Sequence, residues 1–278
     1  MRTAVMGIVN VTPDSFSDGG RWNDPERAIA FGRRLVDEGA TILDIGGEST
    51  RPGARPVDTE VELARVLPVI SALAGRVPAE ISVDTTKPEV ARAAAAAGAT
   101  ILNDVSGSLE AVAAETGMGW VAMHRRGPSA TMQDDPRYDD VVAEVRAHLA
   151  DCLDRAEAVG VDRVWIDPGF GFGKTTRHNL ELLAHLDEFV ALAPVLVGVS
   201  RKRSIGELTA ASDGVDAVGA DDRLEGSLAW AVWAAELGAS VVRVHDVAPT
   251  VEALAVVGEP RGVVVGPPGC SGVGGETR

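Results

Sequence analysis

Eight short apolar runs, each followed by a stretch of helical pattern, predict an α/β chain folded as a single-domain (β/α)8 barrel, the TIM-barrel architecture. Two further observations support that class. Every apolar run finishes in a hydrogen-bonding or ionisable residue, although the bodies of the runs are almost wholly apolar. No break in composition divides the 278 residues into the two halves of a doubly wound open sheet, the competing arrangement.

The first run, AVMGIVN at 4–10, leads to a helical pattern over 24–38, where Asp24-Pro25 sets an N-cap candidate before proline at the first helical position. TILDIGG (41–47) precedes a helix over 58–74, and AEISVDT (79–85) one over 87–97, which Lys87-Pro88 opens in the same way. TILND (100–104) leads to a short helix near 109–116, WVAMH (120–124) to 138–158, and VWIDPG (164–169) to 177–189. VLVGVS (195–200) is followed by a split segment, 201–210 and 221–237, and VVRVHD (241–246) by 249–257. Gly39, Gly98, Gly160 and Gly238 each fall just past a helical pattern, where a C-terminal glycine belongs. The barrel is expected to span 1–258. The Gly- and Pro-rich tail 259–278, with Cys270 as an exposed thiol, is expected to be disordered.

Apolar residues make up 45% of the chain, enough for a substantial core. No apolar run approaches the ~20 residues of a membrane-spanning helix. The opening MRTAVMGIVNVTP has no adequate apolar region and no small-residue cleavage site, so no export signal is read. Two distant cysteines, Cys152 and Cys270, suggest no disulfide framework and fit a reducing cytoplasm. The sequon Asn10-Val11-Thr12 is then accidental. A net charge of −15 argues against nucleic acid or an anionic membrane as partner and is read as solubility. Small anionic ligands remain open, because local Arg and Lys override the global field.

The strand ends carry Asn10, Asp44, Asp84, Asn103, His124, Asp167, Ser200 and the pair Arg243/His245. In such a barrel all C-terminal strand ends converge on one mouth, where active sites lie. Chains turn there in any case, so a single polar end means little; eight out of eight predicts a polar ring. Arg243 and His245 are two apart on one strand and share a face, and Arg51 in STRPG and Lys202 in SRKR add positive charge. PGFGFGKT (168–175) resembles a phosphate loop, but Pro168 replaces the first glycine and Lys174 the last glycine of G-x-G-x-x-G. Its glycines are read as letting the loop pass close over a flat ligand, with Phe172 as an apolar wall. His148, His178 and His185 sit inside helical patterns and are read as surface or core-edge residues.

No Cys/His cluster has zinc spacing, so any metal is a hard cation held by few protein oxygens plus a substrate phosphate, as magnesium usually is. Ser200 is placed to cap the helix after it, whose N-terminus can also bind an anion. Arg201-Lys202-Arg203 at that N-terminus is unfavourable against the helix dipole, and a negatively charged ligand would compensate.

In order along the chain, NVTPDSFSDGG, DIGGESTRPGA, SVDT, NDVSG, MH, DPGFGFGK, GVSRKR and VRVHDV closely resemble the dihydropteroate synthase family of pterin-binding barrels, from residue 4 to about 257. The resemblance implies condensation of 6-hydroxymethyl-7,8-dihydropterin pyrophosphate with p-aminobenzoate, giving 7,8-dihydropteroate and pyrophosphate in folate biosynthesis. It implies SN1-like chemistry, with Mg2+ assisting loss of pyrophosphate before the C–N bond forms. Asp84, Asn103, Asp167 and Lys202 are implied around the pterin, with Met123, Phe172 and the Arg243 guanidinium packing on its ring. Asn10 matches the magnesium-linked position. Arg243 and His245 would hold pyrophosphate, with Asp44 and Thr50 at the same end. The loops after the first two strands are implied to close over pyrophosphate and build the p-aminobenzoate slot. Phe16 and Pro52 would be its walls, Asp18 and Arg51 would come from the same loops, and Ser200 would receive the carboxylate. Asp18 would also stabilise the pterin cation. A cytoplasmic homodimer is implied as well.

The chain departs from the commonest pattern of the family at Ser204, where many members carry an apolar residue, at Arg125, where many have Met, and in a short NDVSGSLEAVAAE segment. Two other functions compete. A methyltetrahydrofolate-dependent corrinoid methyltransferase also places Asp and Asn on a pterin, but the DSFSDGG, STRPG and SRK motifs argue against it. A catalytically silent pterin-binding paralogue should have lost loop residues such as Asn10, Asp18 or Arg51, and all three are present.

Overall fold

The computed structural model describes residues 3–12, 25–49, 56–128 and 131–258. Within them eight parallel strands form one sheet: β1 (Ala4–Asn10), β2 (Ile42–Gly46), β3 (Glu80–Asp84), β4 (Ile101–Asp104), β5 (Gly119–Met123), β6 (Val164–Asp167), β7 (Leu196–Val197) and β8 (Val241–Val244). The order is β6-β5-β4-β3-β2-β1-β8-β7. A parallel bridge joins Ile166 to Val195, and the Ile166 N–H donates to the Pro194 carbonyl at 3.0 Å. These bring β6 to β7 and nearly close the barrel, the architecture the sequence predicts. The seventh strand is shorter than VLVGVS implies. Gly198 weakens a strand at that point, and the chain then turns through Arg201 at φ 58°.

Side-chain alternation divides each strand between two cores. Met6, Ile42, Ile101, Val121, Leu196 and Val241 fill the barrel interior together with Ala4 and Trp165. Their outward neighbours, among them Val5, Leu43, Ile81, Leu102, Trp120 and Val242, pack beneath the helices. Both faces are covered, which is why the strands read as continuous apolar runs.

The outer layer follows the predicted order. α1 (Pro25–Asp37) buries Ala28, Gly32 and Leu35 at helical spacing. A Cβ on Gly32 would stand 2.9 Å from Leu73 Cδ1, so glycine sets the close approach to α2 (Thr59–Leu73). α3 (Pro88–Ala96) starts on its proline, and α4 (Glu110–Thr116) is the short helix expected near 109–116. Asp140 caps α5 (Val141–Val159) by accepting from the Ala143 N–H, and Gly160 ends it in the left-handed region. The single helix expected over 177–189 is two, α6 (Thr176–Ala184) and α7 (Leu186–Val190). His185 leaves helical geometry between them (φ −109°, ψ 28°), with Leu186 and Phe189 buried beyond it. α8 (Arg203–Asp213) and α9 (Leu224–Glu236) form the split segment, and α10 (Val247–Val257) follows β8. Asp24 and the tail from Glu259 lie outside the described residues. No described helix is long and apolar enough to cross a membrane.

Candidate active site

Parallel register sets the polar residues in rows. Asn10 pairs with Gly46, Gly46 with Asp84, and Asp84 with Asn103, so these four cross the barrel at one level. Two residues earlier on the same inward face, Asp44 pairs with Ser82 one level deeper. Met123 pairs with Asp167 on the opposite side. A Cβ on Gly46 would stand 3.7 Å from Asn10 Oδ1 and 3.8 Å from Asp84 Oδ2, and one on Gly198 would stand 3.9 Å from Arg243 Cβ and 4.0 Å from Asp167 Oδ2. Glycine at both positions keeps the space between the polar groups open.

Arg243 organises one side of that space. Its Nε donates to Asp44 Oδ2 at 2.6 Å and its Nη2 to Asp84 Oδ2 at 2.9 Å. Asp44 is fully buried and also accepts from Asn103 Nδ2 at 2.9 Å and Ser82 Oγ at 2.6 Å. Both its oxygens are committed to protein donors, so it lies below the polar row, orienting Arg243 and Asn103. Asp84 differs, because its buried Oδ1 accepts no protein hydrogen bond. Burial pushes the Asp84 carboxyl up to about 7, and Asp44 adds to the rise against the pull of Arg243. An unsatisfied buried acceptor is costly, and this one is suited to an N–H donor entering the mouth.

Asp167 ends β6 with Oδ1 accepting the Gly169 N–H at 2.8 Å. Burial raises its carboxyl, while that N–H and then Lys202, Lys174 and Arg243 oppose the rise. The Lys202 ammonium stands 4.3 Å from the centroid of the Phe172 ring. Met123, inward on β5, is buried at the same level. Asp84, Asn103, Asp167, Lys202, Met123, Phe172 and Arg243 are thus brought to one end of the barrel.

His124 is a strand-end residue that does not join this ring. It follows Trp120 and Ala122 at two-residue spacing, which turns it outward. Its Nδ1 receives a hydrogen bond from Lys174 Nζ at 2.9 Å, and its ring meets His148 edge-on with centroids 5.0 Å apart. Burial, with Lys174 and His148 nearby, holds its pKa down to about 2, so the ring is neutral with its proton on Nε2.

The 168–175 loop also differs from its sequence reading. A Cβ on Gly169 would strike the His124 carbonyl and one on Gly173 the Arg126 carbonyl, while Gly171 faces the Lys202 stem. The close approach is therefore to the backbone beyond β5, rather than to a ligand. His178 forms a capping box with Thr175, and His185 pairs with Glu188 at 3.3 Å, in keeping with their expected peripheral roles.

The cations of SRKR are compensated largely within the protein. Arg201 pairs with Asp246 at 2.7 Å and Asp221 at 2.9 Å, and Arg203 with Glu207 at 3.1 Å. Ser200 does not cap α8. Lys202 occupies the N-cap position, and Ser200 Oγ instead lies 3.1 Å from His245 Nδ1 while accepting the His245 N–H at 3.2 Å.

Asn10 ends β1 half-buried and offers a hard amide oxygen. Among the described residues no group of three or more His, Cys, Asp and Glu could hold a metal. That donor set fits an ion held mainly by substrate oxygens, the usual manner of magnesium. Phe16, Asp18, Thr50, Arg51 and Pro52 lie outside the described residues.

Sequence reasoning assigns no role to Ser82, Asp104 or Lys174, and names Ser204 only as a departure. Ser82 was signalled by its two-residue spacing from Asp84. Asp104 is outward on β4 and accepts from Ser108 N, Leu109 N and Trp120 Nε1, stapling the turn into α4. In the sequence Lys174 stands out only as the break in a glycine motif. Ser204, one of the departures from the family pattern, is buried and accepts from Asn179 Nδ2 at 2.8 Å.

The model of a family described as pterin binding enzyme matches residues 6–245. The dihydropteroate synthase of Escherichia coli (strain K12) is 52% identical over 261 residues, covering 91% of this chain and 90% of that protein. The structure of the Xanthomonas albilineans dihydropteroate synthase with 4-aminobenzoic acid is similar at a TM-score of 0.84 and 52% identity, over 92% of each chain. The same enzyme in complex with 7,8-dihydropteroate gives a TM-score of 0.81 at 48% identity, again over 92% of each. With its register-aligned polar mouth and half-identical relatives matched along nearly their full length, the chain belongs to the dihydropteroate synthases of the pterin-binding enzyme family.

Proposed function

We propose that the protein condenses 6-hydroxymethyl-7,8-dihydropterin pyrophosphate with p-aminobenzoate, with the pterin seated between Asp84, Asn103, Asp167 and Lys202. The observation that carries this placement is the buried Asp84 Oδ1, which accepts no protein hydrogen bond, on a carboxylate that borders the space left by Gly46. A pterin edge presents N–H donors for two carboxylates and a carbonyl for the Lys202 ammonium. Met123 and Phe172 bound the ring on its apolar faces, and the Arg243 guanidinium packs on it as a plane. The Xanthomonas albilineans relative binds 4-aminobenzoic acid and 7,8-dihydropteroate, ligands that suit the same mouth.

In this reading the C–O bond to pyrophosphate breaks first, its electron pair leaving with the diphosphate. The carbon is left as a cation delocalised into the pterin. The p-aminobenzoate nitrogen then forms the C–N bond and sheds a proton. Arg243 and His245 stabilise the departing charge, and Ser200 with the α8 N-terminus receives the p-aminobenzoate carboxylate. Asn10 would hold magnesium, which when bound supplies further neutralisation of the diphosphate. Asp18, Arg51, Phe16, Pro52 and Thr50 complete the site from the first two loops. We assign the protein to the cytoplasm as a homodimer built on one barrel domain, for which exposed Trp233 and Leu208 on α9 and α8 offer apolar surface.

The test is purified protein with both substrates and magnesium, reading dihydropteroate by mass. Product is expected, suppressed by chelation. Asp167→Asn keeps size but removes a buried charge-assisted acceptor, and should cost roughly 2–3 kcal/mol in pterin binding. Folded protein that makes no product would favour the silent pterin-binding alternative.

A further inference from the structure

Lys174 is almost wholly buried yet lies outside the polar mouth. Its three short bonds go to His124 Nδ1 at 2.9 Å, the Gly169 carbonyl at 2.9 Å and the Phe172 carbonyl at 3.1 Å, with the His124 carbonyl more distant at 3.4 Å. Two of these partners belong to the 168–175 loop, and His124 is the residue after β5. The cation therefore pins the loop to the neighbouring strand end. Other side chains tie the same loop from outside. Tyr138 Oη donates to the Gly173 carbonyl at 2.9 Å, and Gln133 Nε2 donates to the Gly171 carbonyl. Asn179 Oδ1 accepts the Gly171 N–H at 2.9 Å, and Asn179 is itself held by Ser204.

Two groups of the mouth depend on that loop. Its Gly169 N–H bonds Asp167 Oδ1, and it carries the Phe172 ring that faces Lys202. We propose that Lys174 is a positioning residue, whose buried ammonium fixes Phe172 and the Gly169 N–H so that Asp167 and Lys202 meet the pterin in register. Sites whose supporting contacts are lost become misplaced by fractions of an ångström and lose affinity while the fold persists. Burial pulls Lys174 down to about 7, with the Asp167 charge opposing the fall, and the three acceptors hold its amine in place at either charge.

The inference rests on the pterin lying against Asp167 and Phe172. Lys174→Met keeps length and apolar bulk but removes all three donors. The KM for pterin pyrophosphate should rise on the order of ten- to thirtyfold, the effect of losing a charged hydrogen bond from the support of one substrate. The KM for p-aminobenzoate should hold within about twofold, and calorimetry with a non-reacting pterin should show the same loss. A purely structural role would lower activity through the folded fraction and move neither KM. If Lys174→Met does not fold, Gln133→Ala and Tyr138→Phe carry the test, each cutting one tie to the loop. Each should raise the pterin KM a few-fold and spare p-aminobenzoate. Asp167→Asn is measured alongside. If it weakens pterin binding while folded Lys174→Met, or both substitute variants, leave the pterin KM unchanged, the inference on Lys174 is wrong and the site stands. If Asp167→Asn also has no effect, the pterin placement itself is wrong.

Discussion

Asp44 separates charge from contact in the site's foundation. It is fully buried, and its Oδ2 accepts from Arg243 Nε at 2.6 Å and Asn103 Nδ2 at 2.9 Å, while Oδ1 accepts from Ser82 Oγ at 2.6 Å. In Asp44→Asn the amide oxygen at the Oδ2 position still accepts from Arg243 and Asn103. The amide nitrogen at the Oδ1 position faces Ser82, whose hydroxyl rotates to accept. The contacts survive and the charge is lost, so the cost should be about 1–2 kcal/mol, the charge-assisted increment of the Arg243 bond. Asp44→Ala leaves all three donors without that partner. Each unsatisfied buried donor costs about 1–3 kcal/mol, but Arg243 keeps Asp84 at 2.9 Å. A total of about 3–5 kcal/mol is expected, the range for breaking a buried ion pair from one side. Urea unfolding of both variants at neutral pH, with equal m-values as the check on two-state behaviour, reads the difference. Equal losses in the two variants, or a larger loss for Asn, would refute the reasoning.

Two further expectations follow from the same geometry. Asp84 has a native pKa above its unfolded value, so between about pH 4 and 7 the native state binds more protons than the unfolded and this group lowers stability as pH rises. Asp84→Asn should therefore gain stability relative to the parent between about pH 5 and 8, read from urea midpoints; a gain in the opposite direction would mean that Arg243 outweighs burial. Gly198→Val should cut pterin affinity more than about tenfold with little change in melting temperature, because the side chain enters space between Arg243 and Asp167 with ordinary contacts at its Cβ; unchanged affinity in calorimetry would place the pterin elsewhere.

The barrel was legible because a parallel sheet covered on both faces leaves an unmistakable series of apolar runs. The mouth was legible in part, since strand ends converge by topology. Strand-end position alone, however, does not say which way a side chain faces. Counting by twos from the apolar interior sorts WVAMH into Val121 and Met123 inward and Trp120, Ala122 and His124 outward, and the sequence held that information. The compensation of Arg201 was not legible, because Asp221 and Asp246 are 20 and 45 residues away and meet it only in the fold. Lys174 was hidden for the same reason, as its partners depend on how a glycine-rich loop returns to the next strand.

Charge balance at the mouth argues for the orientation of the substrate. Asp44, Asp84 and Asp167 are balanced by Arg243 and Lys202 within the mouth and by Lys174 buried behind it, and burial acts on both signs. It lifts Asp84 to about 7 and lowers Lys174 to about 7. A group entering this depth must therefore leave the balance nearly unchanged, because an added net charge would meet the full cost of desolvation with no surplus partner. A flat neutral ring with N–H donors and a carbonyl, as proposed for the pterin, meets that condition and supplies the donor that Asp84 Oδ1 lacks. A diphosphate does not. In the proposed reading it stays on the side of the half-buried Asn10 and His245, and the scissile bond falls where the balanced interior meets those groups.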